Sequence, residues 1–263
     1  MAEAAKRSAA EAAKRSMAEV SYVGHATVLL DLDGTRLLTD PVLRSRVGPL
    51  RRVAPAPAPA VAEGIDAVLI SHLHRDHADL PSLRRFRRTP LLVPPRTGGF
   101  FAERGFADVT ELAVGESARV GAVEVTAVEA HHEGGRGLFE RGGAAIGFLL
   151  SAGRRVYFAG DTDLYEGMGS LDDVDLALLP IWGWGPTLGQ GHLDPESAAR
   201  AAALIEPRVV VPIHWGTLYP AFLRRLRPEP LAAPPRELAA RMRTLAPQSE
   251  LRVLSPGEST SLP

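Results

Sequence analysis

Residues 71–77 read Ser-His-Leu-His-Arg-Asp-His. His72, His74, Asp76 and His77 place three imidazoles and a carboxylate within six residues, the pattern of a metal-binding segment rather than of a solvated turn. On an extended backbone, side chains two residues apart point the same way, so His72 and His74 suit one ion. Asp76 and His77 follow where the chain turns towards a helix, and suit a second ion nearby. His131 and His132 follow Val-Glu-Val-Thr-Ala-Val-Glu-Ala, Asp161 follows Arg-Arg-Val-Tyr-Phe-Ala-Gly, and His214 follows Arg-Val-Val-Val-Pro-Ile. Each lies just past an apolar run that reads as a strand, as His72 does after Ala-Val-Leu-Ile-Ser. Groups at strand ends along one sheet edge converge, which is where α/β proteins place their sites. Imidazole and carboxylate without thiolate suit Zn²⁺ best, with Mn²⁺ or Fe as alternatives. Asp161, in Gly-Asp-Thr, is the group expected to bridge two ions. Neighbours on a strand point to opposite sides, so only one of His131 and His132 is expected to be a ligand.

The remaining composition narrows the chemistry further. The chain has 263 residues, a net charge of −1, 45% hydrophobic and 23% charged residues, which describes a globular protein with no global pull towards nucleic acid or anionic lipid. Zero cysteine excludes disulfides, thiolate metal sites, thiol nucleophiles and Fe–S clusters. Eight histidines stand against two lysines, and both lysines lie in a repeat, AEAAKRSA at 2–9 and AEAAKRSM at 10–17. That repeat of strong helix formers reads as an appended helical segment over 1–16, leaving 17–263 as a single domain. It has no apolar centre of the signal-peptide kind, and no stretch reads as a membrane span, so a cytoplasmic location is expected.

The elements that must position these groups are short strands with helices between them. Strands are predicted at 26–32 and 35–38 around an Asp33-Gly34 hairpin, then at 67–70, 91–93, 118–120, 123–130, 145–150, 155–159, 174–181, 209–213 and 251–254. Helices are predicted at 79–88, 97–104, 237–245 and, most clearly, 195–205 with Asp194 as N-cap. Residues 40–60, rich in Arg and Pro, read as a loop. Strand pairs in two sets, each followed by helices, suit two packed sheets with helices outside.

The ordered set His-x-His-x-Asp-His, a lone His, an Asp and a final His resembles the metallo-β-lactamase superfamily over residues 20–260. Within it, Gly24-His25-Ala26-Thr27, Thr39-Asp40-Pro41-Val42, Gly160-Asp161-Thr162, residues 192–196 (His-Leu-Asp-Pro-Glu) and residues 212–217 (Pro-Ile-His-Trp-Gly-Thr) are similar to the branch containing N-acylphosphatidylethanolamine-hydrolysing phospholipase D and ascorbate-6-phosphate lactonase. The resemblance implies a four-layer α/β/β/α sandwich. It implies a first ion on His72, His74 and His132, a second on Asp76, His77 and His214, and Asp161 between them. It favours His132 over His131, because the metal histidine of this branch tends to follow Gln. It places His25 near Asp40 and His192 at the active site as a substrate contact or proton donor. Trp182 and Trp184 are candidate pocket walls.

The expected activity is hydrolysis by water activated between two ions, with Asp76 orienting the nucleophile and His192 protonating the leaving group. The expected substrate is a phosphodiester, lactone or other ester of a small phosphorylated or lipid-like molecule. A β-lactam is disfavoured because many β-lactamases use a Cys at the second ion. Glu129 stands where the lipid-cleaving relatives tend to have Pro. Arg136 and Arg141 are candidates to hold a substrate phosphate. The alternatives are a nuclease of the same superfamily, against which the net charge argues, a di-iron redox enzyme, whose relatives carry Glu where this chain has His74, and an idle scaffold, against which the full ligand set argues.

Overall fold

The computed structural model describes residues 18–135, 143–183, 189–223 and 231–262; the N-terminal repeat, Arg136, Arg141 and Trp184 lie outside them. The first half of the chain contributes β1 (Ala18–Gly24), β2 (Thr27–Leu32), β3 (Thr35–Thr39), β4 (Arg46–Val47), β5 (Leu50–Arg52), β6 (Ala67–Leu69), β7 (Leu91–Val93) and β8 (Val109–Glu111), with helices α1 (Leu80–Leu83) and α2 (Gly98–Ala102). The second half contributes β9 (Ser117–Val120), β10 (Val123–Glu129), β11 (Ile146–Ser151), β12 (Arg155–Phe158), β13 (Leu176–Pro180), β14 (Val209–Ile213), β15 (Leu218–Pro220), β16 (Glu250–Leu251) and β17 (Ser259–Leu262), with α3 (Pro195–Ile205) and α4 (Ala233–Leu245).

Two seven-stranded sheets result, ordered β17-β1-β2-β3-β6-β7-β8 and β16-β14-β13-β12-β11-β10-β9. Alternation along each strand builds the layers. Val156 and Phe158 of β12 face the space between the sheets, where they join Leu30, Leu69, Val125, Phe148, Leu178 and Val211. Tyr157 faces the other way, onto Ala198, Ala202 and Ile205 of α3 and Leu238 and Met242 of α4. On the far side, Leu38, Val68, Ile70 and Val93 pack against Leu83, Phe86 and Phe101. Helices therefore cover both outer faces, as the α/β/β/α expectation requires.

Strand direction sets the site. β1 and β3 are each antiparallel to β2, and β3, β6, β7 and β8 are parallel. In the second sheet β10 and β12 are each antiparallel to β11, and β12, β13 and β14 are parallel. Within each sheet, the strands that precede His25, Asp40 and the 71–77 segment share one direction, as do those that precede His132, Asp161, Trp182 and His214.

The Asp33-Gly34 hairpin forms with both residues at positive φ, +50° and +78°, the geometry of a type I′ turn. Asp194 caps α3 through a capping box with Ser197. The helix expected at 79–88 is shorter: α1 has four residues and passes into a 3₁₀ turn at Arg84–Phe86. Four arginines at 84, 85, 87 and 88 repel across one helical turn, and Thr89 before Pro90 resists helical backbone. α4 begins at Ala233, earlier than expected, because Pro234 and Pro235 are tolerated in a first turn. β1, which was not predicted from the sequence, lies between its neighbour β2 and β17 from the other end of the chain. The small third sheet, ordered β15-β5-β4, was not predicted either; its β4 and β5 lie in the predicted loop. Arg52 ties that sheet to the site by donating to the carbonyls of Val23 and Val42.

Candidate metal centre

The segment leaving β6 stays extended through His74 and then reverses. The N–H groups of His77 and Ala78 donate to the His74 carbonyl at 3.1 and 2.8 Å. This reversal sends Asp76 and His77 to one side and leaves His72 and His74 on the other. Among the described residues, one atom each from His72, His74 and His132 gathers within 4.8 Å, and a second such group joins His25, Asp76, His77 and His214.

The ring orientations follow from what each Nδ1 meets. Carbonyls and carboxylates only accept, so an imidazole nitrogen facing one carries the proton. His77 Nδ1 donates to Asp40 Oδ2 at 2.8 Å, His132 Nδ1 to the Gly191 carbonyl at 2.9 Å, and His214 Nδ1 to the Trp182 carbonyl at 2.5 Å. Ser71 Oγ gives its proton to Asp40 Oδ2 at 2.5 Å and so accepts from His72 Nδ1 at 2.9 Å. The rings of His72, His132 and His214 therefore turn a bare Nε2 inward, while His77, held by Asp40 at Nδ1, turns its Nε2 to Asp161. His77 Nε2 and His214 Nε2 are 3.1 Å apart, and His132 Nε2 is 3.2 Å from His74 Nδ1.

Asp161 lies among them. Its Oδ2 is 3.1 Å from His77 Nε2, 3.5 Å from His192 Nε2 and 3.9 Å from His72 Nε2, and its Oδ1 is 3.3 Å from His214 Nε2. His72 Nε2 and Asp161 Oδ1 are buried and have no hydrogen-bond partner. Orphaned acceptors and opposed lone pairs at this density are costly unless cations sit between them. The donor set, nitrogen and oxygen with fixed tautomers, fits divalent ions.

Two glycines make the approach possible. Gly160 has φ +62°, and a Cβ there would lie 2.7 Å from Ser71 Cβ. Gly191 has φ +81°, and a Cβ there would lie 3.0 Å from His132 Nδ1. His25, Asp40 and His214 adopt positive φ without being glycine, a strain that collects at functional sites.

Electrostatics favour neutral imidazoles at His72, His132 and His214 and ionised carboxylates at Asp76 and Asp161, with His77 the exception. Burial holds His72 well below the usual imidazole range and brings His132 down to about 4 and His214 to about 3. Burial pushes the Asp161 carboxyl up, but His214 and His77 outweigh it and hold it well below the usual carboxylate range. Asp76 is likewise lowered against its burial, chiefly by the His25 hydrogen bond. Burial opposes charge on His77, while Asp161 and Asp40 raise it well above its usual range. A cation at Asp161 competes with the His77 Nε2 proton for the same carboxylate.

A family profile described as Beta-lactamase superfamily domain matches residues 35–215. The chain belongs to the β-lactamase superfamily. A UPF0173 metal-dependent hydrolase of Methanopyrus kandleri is 31% identical to this β-lactamase-superfamily chain over 248 residues, 91% of the chain and 98% of that protein. The N-acyl-phosphatidylethanolamine-hydrolyzing phospholipase D 1 of Caenorhabditis elegans is 32% identical over 76% of the chain. The chain spans 64% of that enzyme's length, and 63% of the length of a Mycobacterium tuberculosis protein to which it is 35% identical. Igni18, a metallo hydrolase from Ignicoccus hospitalis, superposes with a TM-score of 0.71 at 24% identity, covering 94% of this chain and 99% of its own. The likeness to Igni18 shows the metallo-β-lactamase fold.

The structure brings together His72, His74, Asp76, His77, His132, Asp161 and His214. His192 also reaches this cluster, at its rim, with its side chain 24% exposed. His131 is not among them: its ring is half exposed, bonds Glu129 at 2.9 Å and stacks on Tyr165 at 4.4 Å. His25 hydrogen-bonds Asp76 Oδ2 at 3.0 Å, and its ring lies 3.7 Å from that of His214. Sequence reasoning missed Ser71 and the carbonyls of Gly191 and Trp182. A carbonyl leaves no mark on residue type; Ser71, beside His72, was within reach.

Proposed function

We propose that the chain is a dinuclear metal-dependent hydrolase whose natural substrate is a phosphodiester, lactone or other ester of a small phosphorylated or lipid-like molecule. The observation that carries this reading is the convergence of the His72, His77 and His214 Nε2 atoms, within 3.9 Å, on the buried carboxylate of Asp161, whose Oδ1 has no hydrogen-bond partner. His72, His74 and His132 would hold one ion, Asp76, His77 and His214 the other, and Asp161 would serve both. Zn²⁺ suits the set best, with Mn²⁺ or Fe as alternatives. Such ions supply Lewis-acid polarisation and bring the pKa of bound water to about 7.

The chain's own residues supply the rest. His25 holds one oxygen of Asp76, which leaves the other to orient the nucleophile. His192 turns Nδ1 to the carbonyls of Gly189 and Gln190 and Nε2 towards Asp161, at the rim where a leaving group departs. That placement suits a proton donor to the leaving oxygen. Residues 17–263 are read as one hydrolase domain.

The ester reading draws support from the phospholipase D relative and from the absence of cysteine in the chain. Metal analysis combined with a substrate panel tests it. Two ions per chain are expected, with hydrolysis of bis-aryl phosphodiesters or lactones lost together with metal in His74→Ala. Full activity in a metal-depleted His74→Ala protein, or a strong preference for thioesters or β-lactams, overturns it.

A further inference from the structure

His25 and His214 hold left-handed backbone angles, φ +58° and +63°. Such strain persists only where the surroundings over-determine it. Here one hydroxyl does much of that. His25 N–H donates to Thr217 Oγ1 at 2.8 Å, and Thr217 Oγ1 gives its own proton to the Trp215 carbonyl at 3.0 Å. His214 N–H donates to the His25 carbonyl at 2.8 Å, so the two strand-end turns are laced to one another. Tyr22 Oη donates to the same Trp215 carbonyl at 2.8 Å. The Thr217 carbonyl accepts from Val53 N–H at 2.8 Å. Thr217 also packs on Gly24, where a Cβ would lie 2.8 Å from Thr217 Cγ2. Thr217, Tyr22, His25 and His214 are all buried.

These turns deliver side chains to one half of the centre. His25 Nε2 reaches Asp76, and His214 Nε2 reaches His77 and Asp161. The other half is held by different contacts: Ser71 on His72 and the Gly191 carbonyl on His132. The geometry points to Thr217 as a positioning residue that sets the second metal position selectively, acting through His25 and His214 without touching the ion. This rests on the two-ion reading above.

The test is calorimetric titration of the metal-free protein with Zn²⁺, with stoichiometry from elemental analysis and the visible absorption of the Co²⁺ form as a second readout. Wild type is expected to take up two ions. Thr217→Val keeps the shape and removes the hydroxyl's bonds to His25 N–H and the Trp215 carbonyl, together with its 3.5 Å contact to Tyr22 Oη, so the second step should weaken by about 10–100-fold while the first stays unchanged. Thr217→Ser keeps the hydroxyl and should restore the second step. Where Thr217→Val fails to fold, Thr217→Ala compared with Thr217→Ser reads the same difference. Equal weakening of both steps, or no change in either, overturns the role of Thr217. A wild type that takes up fewer than two ions overturns the two-ion reading and this role with it, whereas an unaltered variant beside a two-ion wild type overturns the role alone.

Discussion

Asp40 accepts a hydrogen bond from His77 Nδ1 at 2.8 Å, and through Ser71 Oγ the same carboxylate sets the ring of His72. One buried side chain thus orients an imidazole in each half of the centre. An Asn at 40 keeps the shape but turns an NH₂ towards one of three donors, which are Ser71 N–H, Ser71 O–H and His77 N–H. Asp40→Asn is expected to cost about 10–100-fold in metal affinity, measured by competition with a chromophoric chelator. Wild-type affinity would show that Asp40 does not orient the ligands.

His131 and His132 are neighbours with opposite fates, and a paired substitution reads the difference. His132→Ala should halve the metal content and abolish hydrolysis. His131→Ala removes only a surface contact with Glu129 and Tyr165, and should keep both ions. Elemental analysis of the two purified proteins decides; metal loss in His131→Ala would reverse the assignment.

Metal removal should lower stability. An ion at one hundred times its dissociation constant stabilises the folded state by about 2.7 kcal/mol, equivalent to about 5–10 °C in Tm for a chain of this size. Dialysis against a chelator and re-addition of Zn²⁺, followed by thermal melts, checks this. An unchanged Tm would argue against ions in the buried cluster.

Gly160→Ala should damage both fold and site. The backbone there has φ +62°, and the added methyl would lie 2.7 Å from Ser71 Cβ. A destabilisation of about 1–3 kcal/mol is expected from overpacking, with weaker metal binding because Ser71 orients His72. Denaturant melts measure the first effect and chelator competition the second.

Tyr22 offers a pH test away from the ions. Burial pushes its phenol up from 10.0 to about 12. A group whose folded pKa is raised contributes stability that is complete below the unfolded value and lost as pH rises through the folded value. Stability should therefore fall between pH 10 and about 12, and Tyr22→Phe should flatten that fall. Denaturant melts across that range, with absorbance at the phenolate band, follow it; an identical slope in the variant would remove Tyr22 as the cause.

The sequence by itself determined the candidate ligand types, their order along the chain and their places at strand ends. Spacing in the 71–77 segment and the apolar runs before His132, Asp161 and His214 carry that information locally. The Asp33-Gly34 turn and the Asp194 cap were legible for the same reason, since each depends on residues within a few positions. Only the tertiary structure decided what joins distant segments. β17 joins the first sheet by pairing with β1 at the other end of the chain, and the third sheet pairs residues 50–52 with 218–220. The partner of His25 is Asp76, 51 positions further along the chain. The imidazole tautomers depend on Gly191 and Trp182 carbonyls, and every residue has a carbonyl, so composition is silent there. Ligand identity is a property of side chains and survives in the sequence; ligand orientation is a property of the contacts between chain segments, and exists only once the fold has brought them together.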